Sequence, residues 1–425
     1  MKMFKNGQFL NIFYFKGINI MLYTLNNGMQ LVYEYMPNVK SVSVGIWVRA
    51  GSMYEKKSES GISHFIEHML FKGTQKRSAK RIAEEIDSVG GQINAYTARE
   101  CTCYYSRTLG ESLELLIDIL SDMYYNSLFS ESDINLERKV IIEEINMYED
   151  SPEDLVLDRL EENMWKDNPL GFSISGTRES VFGITRENII DYYKRRYTPE
   201  NTVISVAGCF DEKELISLCE KYFSEGQKGE DFVYNAPVFN SGKWEIQKDI
   251  EQTHIAIGYE AYDLSSDKIY ALSVMNNIFG GSMSSRLFQS VRENHGLCYS
   301  IYSYTGVFPT AGMLGIYTGV SPQEAEKTLE MIDEETNFLL KNGVRDDELK
   351  RVCNQMKCSV LMARESVSAR MSENGKSQLL LGRIRTDDEI TKIIDSLKKD
   401  DIMKVAEDVF NSDKKAVYII RGGLK

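Results

Sequence analysis

The chain contains 425 residues, of which 42% are hydrophobic and 27% are charged. This composition is typical of a folded globular protein and excludes a disordered or fibrous chain. The formal net charge is −13, and no long run of Lys or Arg is present, which argues against nucleic acid and anionic membrane surfaces as partners. An acidic cavity would attract cationic peptides, although surface acidity commonly serves solubility alone.

Length and cysteine content set further limits. A chain of this size is long enough for several compact domains, since one domain commonly holds roughly 100–200 residues. No run of about 18 apolar residues occurs, so we expect no membrane-spanning helix. The seven cysteines are odd in number and scattered, which argues against a disulfide framework and favours a reducing compartment.

The first twenty residues differ from the rest of the chain. They mix lysines with aromatic and aliphatic side chains but lack the small-residue cleavage site of a signal peptide. Met21 offers a cleaner start for the folded part of the chain. We therefore predict that residues 1–20 are an extension that lies outside the fold.

From Leu22 onwards, strand-like and helix-like segments alternate. Alternating β-branched residues predict a strand over residues 41–48, and a period of two predicts another over residues 92–97, after a Gly-Gly pair. Leucines and isoleucines at helical spacing predict an amphipathic helix over residues 113–120. In the second half, residues 253–259 again resemble a strand.

A break in the pattern divides the chain near its middle. Residues 226–243 combine Gly and Pro with mixed charges and show neither helical nor strand period, so we predict a linker there. The order of predicted elements is similar in residues 21–225 and 244–425. This internal repeat predicts two homologous α+β domains, each a mostly antiparallel sheet covered by helices on one face.

Two of the four histidines stand in one motif, His64-Phe65-Ile66-Glu67-His68. It has the pattern of the inverted zinc-peptidase motif. On a helix, residues four apart lie on one face, so both imidazoles can reach one ion, and Glu67 shares that face. General-base hydrolysis requires a carboxylate beside a metal-activated water. We therefore predict His64 and His68 as metal ligands and Glu67 as the base.

A catalytic zinc ion usually has three protein ligands, so a third must come from elsewhere in the chain. His254 and His295 are candidates by residue type. A predicted helix over residues 136–144 offers a better one, because Glu137 and Glu144 are seven apart and share a face, whereas Glu143 points about 100° away. We predict that Glu144 is the ligand and that Glu137 orients a histidine or the water.

These residues identify a resemblance. Over about residues 22–423, the chain resembles the pitrilysin-type inverzincins, in the branch of the mitochondrial processing peptidase and its bacterial relatives. The similarity includes residues 61–74, 90–97, 137–148 and 197–208 of this sequence. The family pattern places its zinc glutamate on Glu144 and its orienting glutamate on Glu137, in agreement with the helix-face argument.

The resemblance also implies an architecture and a mode of substrate binding. It implies that the chain forms one half of a peptidase chamber, and hence a homodimer, with one zinc ion per chain. Peptide substrates would add as a strand to a sheet edge formed by Asn94, Ala95, Tyr96 and Thr97. An organelle transit peptide would be rich in Arg and Ser and poor in acids, and the chain shows no obvious segment of this kind. We therefore expect a bacterial cytoplasmic enzyme.

A second pair of residues follows from the same resemblance. Arg292 and Tyr299 match the family's substrate-stabilising Arg and Tyr, in the context of a preceding Gly280-Gly281 pair. Both side chains can donate to the oxyanion that develops on a cleaved carbonyl. Without that context, an Arg and a Tyr at this spacing would be interpreted as a surface ion pair and a core aromatic.

The sequence therefore predicts a zinc metalloendopeptidase that acts on unfolded peptides or precursor segments. The alternative is an inert scaffold or partner subunit of the same fold. Inert relatives lose a ligand or the base, whereas this chain has the complete set: His64, Glu67, His68, Glu144, Arg292 and Tyr299. A third possibility, an active subunit that needs a different partner chain, is disfavoured by the retained Arg and Tyr.

Overall fold

The structure is a computed structural model that describes residues 12–14, 20–226, 229, 235–410 and 413–423. Its strands, numbered in chain order, are β1 Ile12–Tyr14, β2 Ile20–Thr24, β3 Gln30–Tyr35, β4 Ser41–Val48, β5 Gln92–Thr97, β6 Thr102–Leu109, β7 Thr202–Gly208, β8 Gly242–Gln247, β9 Thr253–Ala261, β10 Cys298–Val307, β11 Gly312–Val320 and β12 Lys415–Arg421.

The α-helices are numbered in the same way. They are α1 Ile62–Leu70, α2 Ala79–Ser88, α3 Leu113–Asn126, α4 Glu131–Asp150, α5 Pro152–Met164, α6 Arg178–Gly183, α7 Arg186–Arg196, α8 Glu212–Tyr222, α9 Ile269–Phe279, α10 Ala325–Asn342, α11 Asp346–Ala363, α12 Val367–Leu381, α13 Asp387–Ser396 and α14 Lys399–Phe410. A π-helical segment, Phe288–Asn294, precedes β10. None of the described helices is long and apolar enough to cross a membrane.

Two mixed sheets form the framework. The first has the order β1-β2-β3-β7-β4-β6-β5, and the second has the order β10-β11-β9-β12-β8. Read in reverse, the second sheet repeats the last five strands of the first. In both, one pair is parallel, β3 with β7 and β12 with β8, and the other pairs are antiparallel. The shared topology confirms the predicted α+β repeat.

The strands predicted at residues 41–48 and 92–97 are β4 and β5. β4 is fully buried from its second residue onwards because it lies between β7 and β6. β5 forms the end of the first sheet, where its residues alternate between exposed and partly buried. Part of the predicted N-terminal extension also belongs to this sheet, since β1 pairs with β2; the rest of residues 1–19 lies outside the described residues.

The chain divides into two compact units that exchange segments. One unit falls within Met1–Ile145, Ser173–Val233 and Met362–Thr386; the other falls within Asn146–Phe172, Tyr234–Leu361 and Asp387–Lys425. The first unit thus contains α12, which packs on β3, β4 and β7, and the second contains α5, which packs on β9 and β12. This exchange differs from the predicted continuous domains 21–225 and 244–425, because neither helix carries a pattern that specifies which sheet it covers.

Close packing holds α12 on its sheet. Gly375 faces the fully buried Trp47, and a Cβ atom at Gly375 would lie 2.2 Å from Trp47 Nε1. Beside this contact, Arg370 Nε donates to Glu34 Oε2 of β3 at 2.8 Å. The helix therefore needs a residue without a side chain at position 375.

We expect Gly375→Val to destabilise the first unit, since a side chain there collides with a rigid indole in a close-packed interior. Overpacking of this kind costs about 1–3 kcal/mol, which a lowered midpoint of thermal unfolding will report. Gly183→Val is the matched control, because no atom lies within 4 Å of a Cβ at that position. Equal midpoints for both variants would contradict the described docking of α12.

Candidate metal centre

The helix that carries the histidine motif, α1, has a constrained start. Gly61 precedes it with φ of 89°, and a Cβ atom there would lie 2.6 Å from the carbonyl oxygen of Ser175, so only glycine fits. The buried Glu55 carboxylate accepts the backbone N–H groups of Gly61 at 2.7 Å and Ser63 at 2.8 Å. These two bonds satisfy donors that a helix start leaves unpaired.

The apolar side of α1 decides where the motif points. Its core-facing side chains are fully buried against the first unit's core: Ile62, Phe65, Ile66 and Met69. Because the helix repeats every 3.6 residues, the motif residues His64, Glu67 and His68 lie on a different side. That side faces α4, whose own buried residues include Glu137, Ile141 and Ile145.

Three ligand atoms from α1 and α4 converge on one point. His68 Nε2 lies 3.2 Å from His64 Nε2, and Glu144 Oε2 lies 3.6 Å from each of them. A tetrahedral zinc ion with bonds of about 2.0–2.2 Å holds its ligand atoms roughly 3.3–3.6 Å apart. The two imidazoles and the carboxylate therefore fit such an ion both in chemistry and in spacing.

The surroundings of His64 favour the neutral imidazole, which is the form that can bind a metal ion. Burial, together with the neighbouring His68, lowers the pKa of His64 to about 3, so its imidazole is neutral and its Nε2 can donate a lone pair. Burial also raises the pKa of Glu144, while His68 opposes that change. A cation placed among these groups would offset the cost of burying the carboxylate.

A second carboxylate orients the other histidine. Glu137 Oε2 lies 3.1 Å from His68 Nδ1, and its Oε1 lies 2.5 Å from Lys72 Nζ. With Nδ1 donating to Glu137, His68 directs its Nε2 lone pair at the candidate metal position. Lys72 was missed in the sequence, although its place four residues after His68 could have drawn attention to it.

Glu67 lies at the same site and is held by β5. Thr97 Oγ1 donates to Glu67 Oε2 at 2.5 Å. Burial raises the pKa of Glu67, and the Thr97 hydrogen bond opposes that rise. A carboxylate with a raised pKa accepts a proton more readily, which suits a general base.

The other predicted site residues lie on the edge strand β5 and in the second unit. Asn94, Ala95, Tyr96 and Thr97 belong to the edge strand β5. In the second unit, the Arg292 guanidinium lies 5.2 Å from the centre of the Tyr299 ring, and Tyr299 is 80% exposed. Arg292 stands in the π-helical segment, a conformation frequent at functional sites.

The two alternative histidines have other partners. His254 Nδ1 lies 2.9 Å from the Tyr317 hydroxyl, and His295 Nδ1 lies 2.9 Å from the Ser290 carbonyl oxygen. Among the described residues, the only group of three or more His, Cys, Asp or Glu side chains arranged to hold a metal ion is His64, His68 and Glu144.

Comparisons with known proteins identify the family. A family model described as insulinase (peptidase family M16) matches residues 30–178, and one described as peptidase M16 inactive domain matches residues 183–356. A Bacillus subtilis protein named uncharacterized zinc protease YmxG is 40% identical over 402 residues, which cover 94% of this chain and 98% of that protein. The chain belongs to peptidase family M16.

Further relatives agree with this family M16 assignment. A Streptomyces coelicolor protein, also named an uncharacterized zinc protease, is 37% identical over 91% of this chain and 86% of its own length. A crystal structure of a Helicobacter pylori protease has a TM-score of 0.90 at 20% identity and covers 95% of this chain and 99% of its own. The resemblance to the pitrilysin-type peptidases and the predicted α+β fold are thereby confirmed.

The Glu137 contact generates a prediction about metal affinity. We expect Glu137→Gln to bind zinc about 10–100-fold more weakly, because the change removes the negative charge that orients and polarises His68. Competition against a chelator of known zinc affinity measures this. Glu131→Gln, at the exposed first turn of the same helix, is the control, and equal affinities for the two variants would contradict the role of Glu137.

Proposed function

We propose that this member of family M16 is a zinc-dependent metalloendopeptidase that hydrolyses extended, unfolded peptides. The observation that carries the proposal is the convergence of His64, His68 and Glu144 on one point, with Glu67 beside them. The names of the relatives as zinc proteases support the choice of metal. One zinc ion per chain would occupy the site.

The chemistry follows from the residues around that point. A zinc ion held there would supply Lewis acidity to a water molecule and to the peptide carbonyl. Hydrolysis joins the water oxygen to the carbonyl carbon and breaks the C–N bond, so one proton must leave the water and one must reach the amine nitrogen. Glu67 accepts the first proton and delivers the second. Thr97 keeps one Glu67 oxygen fixed during this transfer.

Substrate binding would use the open edge of β5. An extended peptide can pair with that edge through main-chain hydrogen bonds, which requires an unfolded segment and permits many sequences. Arg292 and Tyr299 would donate to the carbonyl oxygen as negative charge develops on it. The stacking of Arg292 near Tyr299 in the second unit keeps the two donors together.

Two further parts of the proposal concern assembly and location. The resemblance to a chamber of two halves leads us to propose a homodimer in which the Arg292 and Tyr299 of one chain serve the zinc site of the other. The net charge of −13 favours cationic peptides as substrates. A bacterial cytoplasmic location stays a prediction.

The general-base assignment is tested by Glu67→Gln. We expect about one zinc per chain to remain by elemental analysis, since both imidazoles and Glu144 are kept. Peptide hydrolysis should fall by at least ~10²-fold because the proton acceptor is lost. His64→Ala, His68→Ala and Glu144→Ala should instead lose the metal. Retained activity in Glu67→Gln would contradict its role, and retained zinc without activity in the unchanged chain would favour the inert scaffold.

Completion of the site by a second chain is tested by mixing two inactive variants. Glu67→Gln keeps Arg292 and Tyr299, whereas Arg292→Ala keeps the metal ligands and the base. Subunit exchange should form heterodimers with one intact site and one doubly altered site, and activity should reappear. Exchange is verified independently by mass. If exchanged mixtures stay inactive, Arg292 acts within its own chain or has no catalytic role.

A further inference from the structure

Lys72 lies just beyond the end of α1, on a turn whose backbone is held in place. Its N–H donates to the carbonyl oxygen of Met69 in α1 at 3.0 Å. Two residues further on, Thr74 donates from Oγ1 to the buried Asp122 of α3 at 2.6 Å. The backbone that carries Lys72 is therefore fixed against two helices, which distinguishes it from a lysine on a free surface loop.

The side chain of Lys72 reaches a buried carboxylate of α4. Lys72 Nζ lies 2.5 Å from Glu137 Oε1, whereas the other oxygen, Oε2, lies 3.1 Å from His68 Nδ1. Glu137 is only 6% exposed, so water can do little to solvate its charge. Buried charges in proteins are paired and hydrogen-bonded, and Lys72 and His68 each contact one of the two Glu137 oxygens.

This carboxylate anchors one of the two candidate ligand rings. His68 Nδ1 faces Glu137, whereas His64 Nδ1 is buried and has no hydrogen-bond partner among the described residues. The orientation of the His68 ring thus depends on where Glu137 holds its Oε2. Metal-binding histidines lose affinity for the ion when such a partner is altered, so the position of Glu137 should be reflected in zinc affinity.

Lys72 would act on a zinc ion at this centre in two opposite ways. As a cation it would repel the ion, and as a partner of Glu137 it would hold the carboxylate where it orients His68. Water weakens the repulsion, because the Lys72 side chain is 34% exposed. The contact with Glu137 is direct, and removing one member of such a pair leaves a buried charge without compensation. The second effect should therefore be the larger.

We infer that Lys72 is a positioning residue for the metal centre, which strengthens zinc binding by holding Glu137 Oε1 and so keeping Oε2 at His68 Nδ1. The inference rests on the proposed function only insofar as that function requires zinc at His64, His68 and Glu144. Without Lys72, the Glu137 carboxylate would turn towards water, and the His68 ring would lose its fixed orientation.

Zinc affinity, measured by competition against a chelator of known affinity, tests this role. We expect Lys72→Met to bind zinc about ten-fold more weakly than the unchanged chain, and Lys72→Arg, which can also donate to Glu137, to bind within about two-fold of it. Lys76→Met is the matched control, because it removes the same charge where the lysine is 59% exposed and pairs with Asp118 at 3.2 Å. The control should keep the affinity of the unchanged chain.

A double-mutant cycle separates action through Glu137 from an effect of charge alone. In the Glu137→Gln chain, Lys72→Met should change zinc affinity by less than about two-fold, because no buried carboxylate remains to be held. Equal losses with and without Glu137, or tighter zinc binding by Lys72→Met, would overturn the positioning role. If Lys72→Met does not fold, Lys72→Gln, which has a shorter and uncharged side chain, takes its place with the same expectations.

The same measurements separate a failure of this inference from a failure of the proposed function. An unchanged chain that binds no zinc would overturn both. Zinc binding without cleavage of any peptide would overturn the proposed function, and the cycle would still decide the role of Lys72. Zinc binding that Lys72→Met leaves unchanged would overturn the role of Lys72 alone.

Discussion

The candidate metal centre depends on one constraint: two helices distant in the sequence must bring two imidazole nitrogens and one carboxylate oxygen within about 3.6 Å of one another. Each helix satisfies it through its buried side. The apolar residues of α1 and of α4 enter the same core, and the helical period then fixes where His64, His68 and Glu144 point. The fixed start of α1, where the Glu55 carboxylate accepts two backbone N–H groups, sets the rotation of the first helix. The site is therefore a consequence of core packing.

Around the ligands, each functional group is held by a partner from another element. Glu137 fixes His68 and is itself paired with Lys72, while Thr97 of β5 fixes Glu67. The contact from β5 would have a double effect under the proposed function, because the strand that would pair with a peptide also holds Glu67, the proposed base. Under the proposed function, a peptide that pairs with this strand would lie near Glu67, the group that would accept the proton of the attacking water. Binding and catalysis would thus share one rigid element.

Much of this arrangement is predictable from local patterns. A helix-period motif and a glutamate pair seven apart singled out His64, His68 and Glu144 as candidate ligands, and the structure brings these three side chains together. Strand periods predicted β4 and β5 at their observed bounds. Contacts between residues far apart in the sequence were not predictable. Neither α5 nor α12 carries a sequence pattern that specifies its sheet, and the observed packing depends on local shape such as Gly375 against Trp47. Lys72 was missed because an isolated lysine is common on any surface and its partner lies 65 residues away.

Among the described residues, the only candidate metal centre lies in the first unit, and a comparison of the two units gives a physical reason. In the second unit, α9 follows the central strand β9 as α1 follows β4, but α9 contains neither His nor Glu and is largely buried. Glu348 of α11, in the helix that resembles α4, makes two bonds to the buried Arg286 at 3.0 and 2.8 Å. Breaking a buried pair by removing one partner is costly, so the Glu348 carboxylate serves to hold Arg286 in place. The second unit instead carries Arg292 in the π-helical segment and the exposed Tyr299 on its edge strand β10, so under the proposed function the two units would contribute different groups, metal ligands from the first and oxyanion donors from the second.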